Sequence, residues 1–298
     1  MHYWIRFLIS KGIGQPIREE GNKEHYKKAG TPTMGGVCFT ILFLLLSVIF
    51  VNKTWKLWMV LGGSLFFGLI GFLDDYEKIS KKENEGLTPR QKLILQFLLA
   101  FVLSIAFVFF DQEAFLQDLP FLKGQLNLLY VWIPIWAFIL VGTVNAVNLT
   151  DGLDGLAAGV SVPVFLSIGI FSMIQDMEIA KSALIFAGLL LGYLFYNSHP
   201  ASVMMGDTGS MAIGGAVGMM LLLSKKVLFI PIFGAIYFIE ALSVIIQVAY
   251  FKKTGGKRIF LMSPIHHHFE LKGYKEQKVC ASFILVSLIF CMVGLLLI

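Results

Sequence analysis

Four polar residues recur at intervals of three in NAVNLTDGLDG, residues 145–155: Asn145, Asn148, Asp151 and Asp154. On a helix this spacing brings them near one face over about three turns. Apolar runs flank the stretch on both sides, and carboxylates at the mouth of a membrane span are retained where they bind something. A helix cap followed by a turn accounts for one or two of the four, not for all of them. Gly152 and Gly155 loosen the backbone, so that chain can approach a ligand closely.

Three further stretches carry chemistry. Phe72-Leu-Asp-Asp-Tyr76 closes a span with two adjacent carboxylates. Neighbours on a helix point about 100° apart, so Asp74 and Asp75 take different jobs, one facing a site while the other caps or pairs. In MGDTGS, residues 205–210, Asp207 stands between glycines at the start of a span. A carboxylate there suits a hard cation such as Mg²⁺, which takes one or two carboxylates plus substrate phosphates; an N-cap is the plainer alternative. His266, His267 and His268 stand in a row and cannot all point one way. Zinc sites want wider spacing, so phosphate binding or acid–base work fits the cluster better.

Two weaker signals complete the set. KKAGTPTMGG, residues 27–36, offers Lys28, Thr33 and backbone amides as a cradle for an anion. Glu240 and Gln247 lie seven apart within an apolar run, on one inward helical face.

The elements that position these residues are membrane helices. The chain has 298 residues, 57% hydrophobic and only 14% charged, against about a quarter charged in soluble domains. Its mean hydropathy is +0.77. Nine runs are long enough for full spans: 36–51, 55–73, 93–110, 126–147, 156–174, 179–196, 209–223, 227–250 and 279–298. Met1–Ile9 reads as a truncated first helix. The expected fold is thus all-α, one polytopic integral membrane helical bundle, a single domain over 1–298. Gly214 and Gly218 form a GxxxG suited to close helix packing. Cys38, Cys280 and Cys291 all sit inside apolar runs and read as buried thiols without a disulfide.

Loops 11–35, 74–92 and 251–278 hold 17 of the 24 Lys and Arg and fall on one side. That side is expected to be cytoplasmic, with the C-terminus outside. The net charge of +5 is therefore loop charge at a membrane surface; no nucleic-acid motif accompanies it. Every unusual motif lies on the same side, whereas loop 111–125 reads as solvated surface. One-sided polarity argues against a transporter, which needs polar groups at the midplane and both mouths. Carboxylates, lysines and histidines at one edge of a bundle suit phosphoryl transfer between a soluble anionic substrate and a lipid one, with Mg²⁺ between phosphate oxygens.

GTPTMGG (30–36), GFLDDY (71–76), NAVNLTDGLDG (145–155), MGDTGS (205–210) and PIHHHFELKG (264–273) together resemble the phospho-N-acetylmuramoyl-pentapeptide transferases. These belong to the polyprenyl-phosphate N-acetylhexosamine-1-phosphate transferase superfamily. The resemblance runs from about Gly14 to the end of the chain. It implies a Mg²⁺-dependent step of peptidoglycan synthesis at the bacterial cytoplasmic membrane. Phospho-MurNAc-pentapeptide moves from its UDP carrier to undecaprenyl phosphate, giving lipid I and UMP. It implies a catalytic set of Asp74, Asp75, Asp207 and His266 to His268, with Asp207 on the metal and Asp74 as a proposed base. It implies that Lys28, Thr33, Asn145, Asn148, Asp151, Asp154, Asn197 and Gln247 line the nucleotide-sugar and inhibitor site. It also implies a homodimer and inhibition by uridine nucleoside antibiotics such as tunicamycin. Two departures stand out. The first of the family's ten spans is nearly absent, and Met204 stands where many members have a Phe that stacks on uracil. The alternatives are a relative acting on UDP-GlcNAc and a transporter of lipid-linked or nucleotide cargo.

Overall fold

The structure is a computed structural model that describes residues 1–14, 30–81, 86–122 and 124–298. Lys28 and the neighbouring Lys27 lie outside the described residues. Helices follow in chain order as α1 (His2–Ser10), α2 (Gly36–Phe50), α3 (Trp55–Lys81), α4 (Pro89–Phe110), α5 (Trp132–Thr150), α6 (Leu156–Gln175) and α7 (Met177–Asn197). They continue as α8 (Gly206–Leu223), α9 (Ile230–Phe233), α10 (Ala235–Lys253), α11 (Ile265–Leu271) and α12 (Glu276–Leu296). This is a polytopic helical membrane protein.

Among the described residues, eight helices are long and apolar enough to cross a membrane, α3 to α8, α10 and α12. The expected count of nine full spans is not reached, because α2 is a shorter apolar helix of 15 residues. The run 227–250 is not one helix either. Pro231 and Gly234 interrupt it, leaving the four-residue α9 before α10. Conversely α3 runs past the expected end at residue 73 to Lys81, so Asp74 and Asp75 sit inside a continuous helix.

α8 is the axis of the bundle, with every side chain from Thr208 to Leu223 buried. In lipid the hydrophobic effect does not hold helices together; close van der Waals packing does, and small residues permit it. The GxxxG on α8 packs against α5: a Cβ at Gly214 would stand 2.6 Å from Val144 Cα, and one at Gly218 2.8 Å from Leu140. On the other face a Cβ at Gly36 of α2 would meet Gly209 Cα at 2.2 Å. The outer helices do the reverse: α4 exposes Leu98, Val102, Ile105 and Phe109, an apolar stripe facing lipid.

Loop 111–125, expected as plain solvated surface, has structure of its own within the helical bundle. Strands β1 (Leu116–Asp118) and β2 (Gln125–Asn127) pair antiparallel, Leu116 opposite Asn127. The hairpin is tied to the far end of α8. Lys226 Nζ lies 2.6 Å from Asp118 and Lys225 Nζ 2.9 Å from Glu113, and Asp118 N–H donates to Lys225 O. Lys56 pairs with Asp176 between the starts of α3 and α7. Strands of three residues show no alternation long enough to read from sequence. All three cysteines are free thiols; Cys280 and Cys291 are buried as expected, and Cys38 is only half-buried.

Candidate active site

Asp75 is where α3 meets the start of α8. The first turn of a helix has backbone N–H groups without internal partners. Asp75 Oδ1 accepts from Asp207 N–H at 3.1 Å, and Oδ2 accepts from Thr208 N–H at 3.0 Å and Thr208 Oγ1 at 2.7 Å. Its charge also complements the helix dipole. The two neighbouring carboxylates have indeed divided their work, and Asp75 caps a helix other than its own. The fit depends on Gly206, whose φ is +71 and where a Cβ would come within 2.6 Å of Asp75 Oδ2. Thr33 is buried beside the same glycine, 3.2 Å from that Cβ position.

Asp207, held in the first turn of α8, faces Asp74 rather than serving as an N-cap. Asp207 Oδ1 accepts from Asn148 Nδ2 at 2.9 Å, and Asn148 also donates to Ser210 Oγ at 2.9 Å. Asp207 Oδ2 lies 2.5 Å from Lys92 Nζ and 3.2 Å from Lys78 Nζ. Asp74 Oδ2 lies 2.6 Å from Lys78 Nζ and 3.6 Å from Lys92 Nζ, and Asp74 Oδ1 accepts from Leu87 N–H at 3.0 Å. One carboxylate oxygen from each of Asp74, Asp75 and Asp207 lies within 4.8 Å of the others. Three hard oxygen donors at this spacing fit a small divalent cation, and two ammonium groups beside them fit phosphate oxygens.

Sequence reasoning counted Lys78 and Lys92 only as loop charge. Local signals could have found them. Lys78 stands four residues after Asp74 on one helix face. Thr88 opens α4 with a capping box: it accepts from Gln91 N–H at 3.3 Å, and Gln91 Oε1 accepts from Thr88 N–H at 3.0 Å. That box, with Pro89 at the first helical position, fixes where Lys92 points.

The other expected residues are placed as follows. Asn145, Asn148, Asp151 and Asp154 do not line one helical face, because α5 ends at Thr150 and the rest is a turn. Asn145 joins α5 to α4, donating to Gln96 Oε1 at 2.7 Å. Asp151 is half-buried just past the end of α5. Asp154 is buried apart from the three aspartates, with His199 Nδ1 3.0 Å from its Oδ2. Asn197 is buried and bridges Gly155 N–H and Val203 O. Met204 is half-buried, its backbone paired with Pro32 and Gly35. Gln247 accepts from Ile259 and Phe260 N–H at 3.1 and 2.9 Å, and it borders a cavity of about 570 Å³ with Phe251, Lys252 and Arg258.

The three histidines point three ways, as their spacing requires. His266 is fully buried, with Nδ1 3.0 Å from Glu240 Oε1. Its Nε2 and Glu240 Oε2 have no hydrogen-bond partner among the described residues. That nitrogen presses on the 151–155 turn, where a Cβ at Gly152 would stand 2.1 Å from it. His267 Nδ1 lies 2.7 Å from Glu270 Oε2. His268 Nδ1 accepts from Leu261 N–H at 3.0 Å, which needs a neutral ring. Burial, with Lys272 nearby, holds its pKa below the ordinary imidazole value.

Residues 57–225 match the family model described as Glycosyl transferase family 4. Residues 28–39 match phospho-N-acetylmuramoyl-pentapeptide-transferase signature 1. The phospho-N-acetylmuramoyl-pentapeptide-transferase of Caldanaerobacter subterraneus subsp. tengcongensis is 50% identical over 291 residues, covering 96% of this chain and 90% of the relative. The protein of the same name from Thermoanaerobacter sp. (strain X514) is 48% identical over 292 residues, with the same coverage. One from Clostridium perfringens (strain SM101 / Type A) is 47% identical over 293 residues, covering 97% of this chain and 90% of the relative.

Proposed function

The chain belongs to the phospho-N-acetylmuramoyl-pentapeptide-transferase family of membrane enzymes, and on that premise we propose its reaction. It takes UDP-MurNAc-pentapeptide as donor and undecaprenyl phosphate as acceptor, and it yields lipid I and UMP. A phosphate oxygen of the lipid attacks the phosphorus next to the sugar. The bridging oxygen leaves with the uridine phosphate as UMP. The observation that carries this reading is the cluster of Asp74, Asp75 and Asp207 closed by Lys78 and Lys92.

Each group has a distinct part. Asp75 holds the start of α8 in place, so that Asp207 is presented at a fixed height. Asp74 takes a proton from the lipid phosphate or orients it. Lys78 and Lys92 leave the carboxylates to face diphosphate oxygens, offsetting charge as the P–O bond breaks. Mg²⁺ would be held by Asp207 with Asp74 beside it, and when bound it supplies charge neutralisation to the phosphates. Thr33, Asn148, Asp151, Met204 and Gln247 border the donor, and Lys28 is assigned to it on the family resemblance. Asn145, Asp154 and Asn197, already engaged with neighbouring groups, shape its walls. His266 presses on the 151–155 turn, and His267 and His268 are assigned to the phosphate and peptide end of the donor.

On this reading this end of the bundle lies on the cytoplasmic side of a bacterial membrane, with the C-terminus outside; the Lys and Arg content of the loops at this end supports it. A homodimer and blockade by tunicamycin-type uridine nucleosides belong to the same reading. The test is UMP release by purified protein. UMP should appear with UDP-MurNAc-pentapeptide and undecaprenyl phosphate together, and not with either alone. No UMP, or equal turnover of UDP-GlcNAc, would overturn the assignment.

A further inference from the structure

Loop 151–155 joins α5 to α6 and is fastened from two sides. Asp154 Oδ2 accepts from Ala201 N–H at 3.1 Å and lies 3.0 Å from His199 Nδ1. Asp154 N–H donates to Glu276 Oε1 at 2.6 Å, and Cys280 Sγ donates to Asp154 O at 3.4 Å. Glu276 Oε2 in turn lies 3.2 Å from the same His199 Nδ1. One imidazole edge therefore sits between two carboxylates, one buried on the loop and one opening α12. A single Nδ1–H hydrogen-bonds fully to one of them, and the other stays within 3.2 Å of the same nitrogen.

The loop is not remote from the chemistry. Asn148, three residues before it begins, donates to Asp207. Gly152 within it faces His266. It lies at the ends of α5, α7 and α12 rather than along their lipid-facing sides, where a water-soluble donor arrives and a lipid tail does not. Moving the loop shifts the wall that meets the donor, with the Asp74, Asp207, Lys78 and Lys92 cluster left on its own helices.

We propose that His199 and Glu276 are positioning residues for the donor nucleotide sugar, clamping loop 151–155 through Asp154. This rests on the reaction proposed above. Loss of the clamp weakens donor binding more than it slows the chemical step, so KM for the donor carries the effect.

The test measures UMP release with donor and acceptor varied separately. His199→Ala and Glu276→Ala should each raise donor KM about tenfold, the size of losing one hydrogen bond to a charged group. Changes in kcat should stay within about threefold, and acceptor KM should not move. The double variant should be little worse than either single one, because both break one unit. His199→Asn keeps a donor near the Nδ1 position and should recover most of the loss. A thermal-stability check accompanies each variant, and the two single substitutions lie on different elements, so misfolding of one leaves the other. Unchanged donor KM, or a fall in kcat alone, would overturn the clamp. If wild type releases no UMP, the reaction assignment fails, and hydrogen exchange still decides the clamp. Amides 152–155 should then exchange faster in His199→Ala, and equal protection would overturn it.

Discussion

Replacing Asp75 by Asn keeps the side-chain shape and removes its charge. In the wild type both carboxylate oxygens accept bonds from the start of α8, at 3.1, 3.0 and 2.7 Å. An amide offers one acceptor oxygen. Its NH₂ must face a backbone N–H, either that of Asp207 or that of Thr208. Losing one charge-assisted bond is worth about 1.5–3 kcal/mol, and the remaining bonds weaken to neutral ones. The lost charge at a helix start adds about 0.3–1 kcal/mol. A total near 3 kcal/mol should appear as a lower unfolding temperature, roughly 5–10 °C by the scaling for soluble domains. Asp74→Asn contrasts with it. The cluster has three carboxylates and two ammonium groups, and removing the Asp74 charge relieves repulsion from Asp207, while Asn still accepts from Leu87 N–H. Its stability should stay within about 1 kcal/mol of wild type, since a lost ion pair and relieved repulsion offset each other. Thermal unfolding in detergent at one fixed scan rate, followed by tryptophan fluorescence, measures both, alongside UMP release. Turnover should collapse in both, with stability lost in Asp75→Asn alone. An Asp75→Asn protein as stable as wild type but inactive would refute the capping argument and put Asp75 on the reacting groups.

Three further outcomes follow from the same geometry. Cysteines placed in residues 86–92 and 254–264 should resist membrane-impermeant thiol reagents in intact cells, while those in 111–122 should react; the opposite pattern would invert the topology. Met204→Phe should tighten uridine ligands by roughly 0.5–1.5 kcal/mol by adding an aromatic face to the uracil, and unchanged affinity would place the side chain elsewhere. His268 is held neutral in the folded chain, so the unfolded chain binds the extra proton first as pH falls. The contribution of its bond to Leu261 is present above the ordinary imidazole pKa and is lost as pH falls through the lowered folded value. The protection factor for exchange at the Leu261 amide, taken relative to the intrinsic rate at each pH, should fall on acidification in wild type and be low at all pH in His268→Ala; a flat wild-type protection factor would remove His268 from that role.

Polar motifs separated by long apolar runs were enough to expect Asp74, Asp75 and Asp207 at one end of a bundle, where they do cluster. The adjacent pair Asp74 and Asp75 even foretold its own division of labour, because helix geometry sends neighbours apart. What the sequence concealed depends on register between distant segments. Lys92 meets Asp207 across 115 positions, and Glu276 meets Asp154 across 122. No local periodicity encodes either. NAVNLTDGLDG misled in a different way: its spacing of three suits a helix, but Gly152 and Gly155 end the helix after Thr150, and Asp154 turns away to His199. The run 227–250 was read as one span, although Pro231 and Gly234 within it already signal the break.

The account rests most heavily on Asp207 as the charged centre of the transfer site. Initial rates of UMP release should be measured across a Mg²⁺ titration and with a chelator, for wild type and for Asp207→Asn, each checked for folding. Wild type should fall silent on chelation and recover with Mg²⁺. Asp207→Asn should remain folded, turn over at least ~10²-fold more slowly and gain little from added Mg²⁺, because an amide oxygen replaces a carboxylate on a hard cation. A folded Asp207→Asn protein with near-normal turnover, or a wild type indifferent to chelation, would contradict the account.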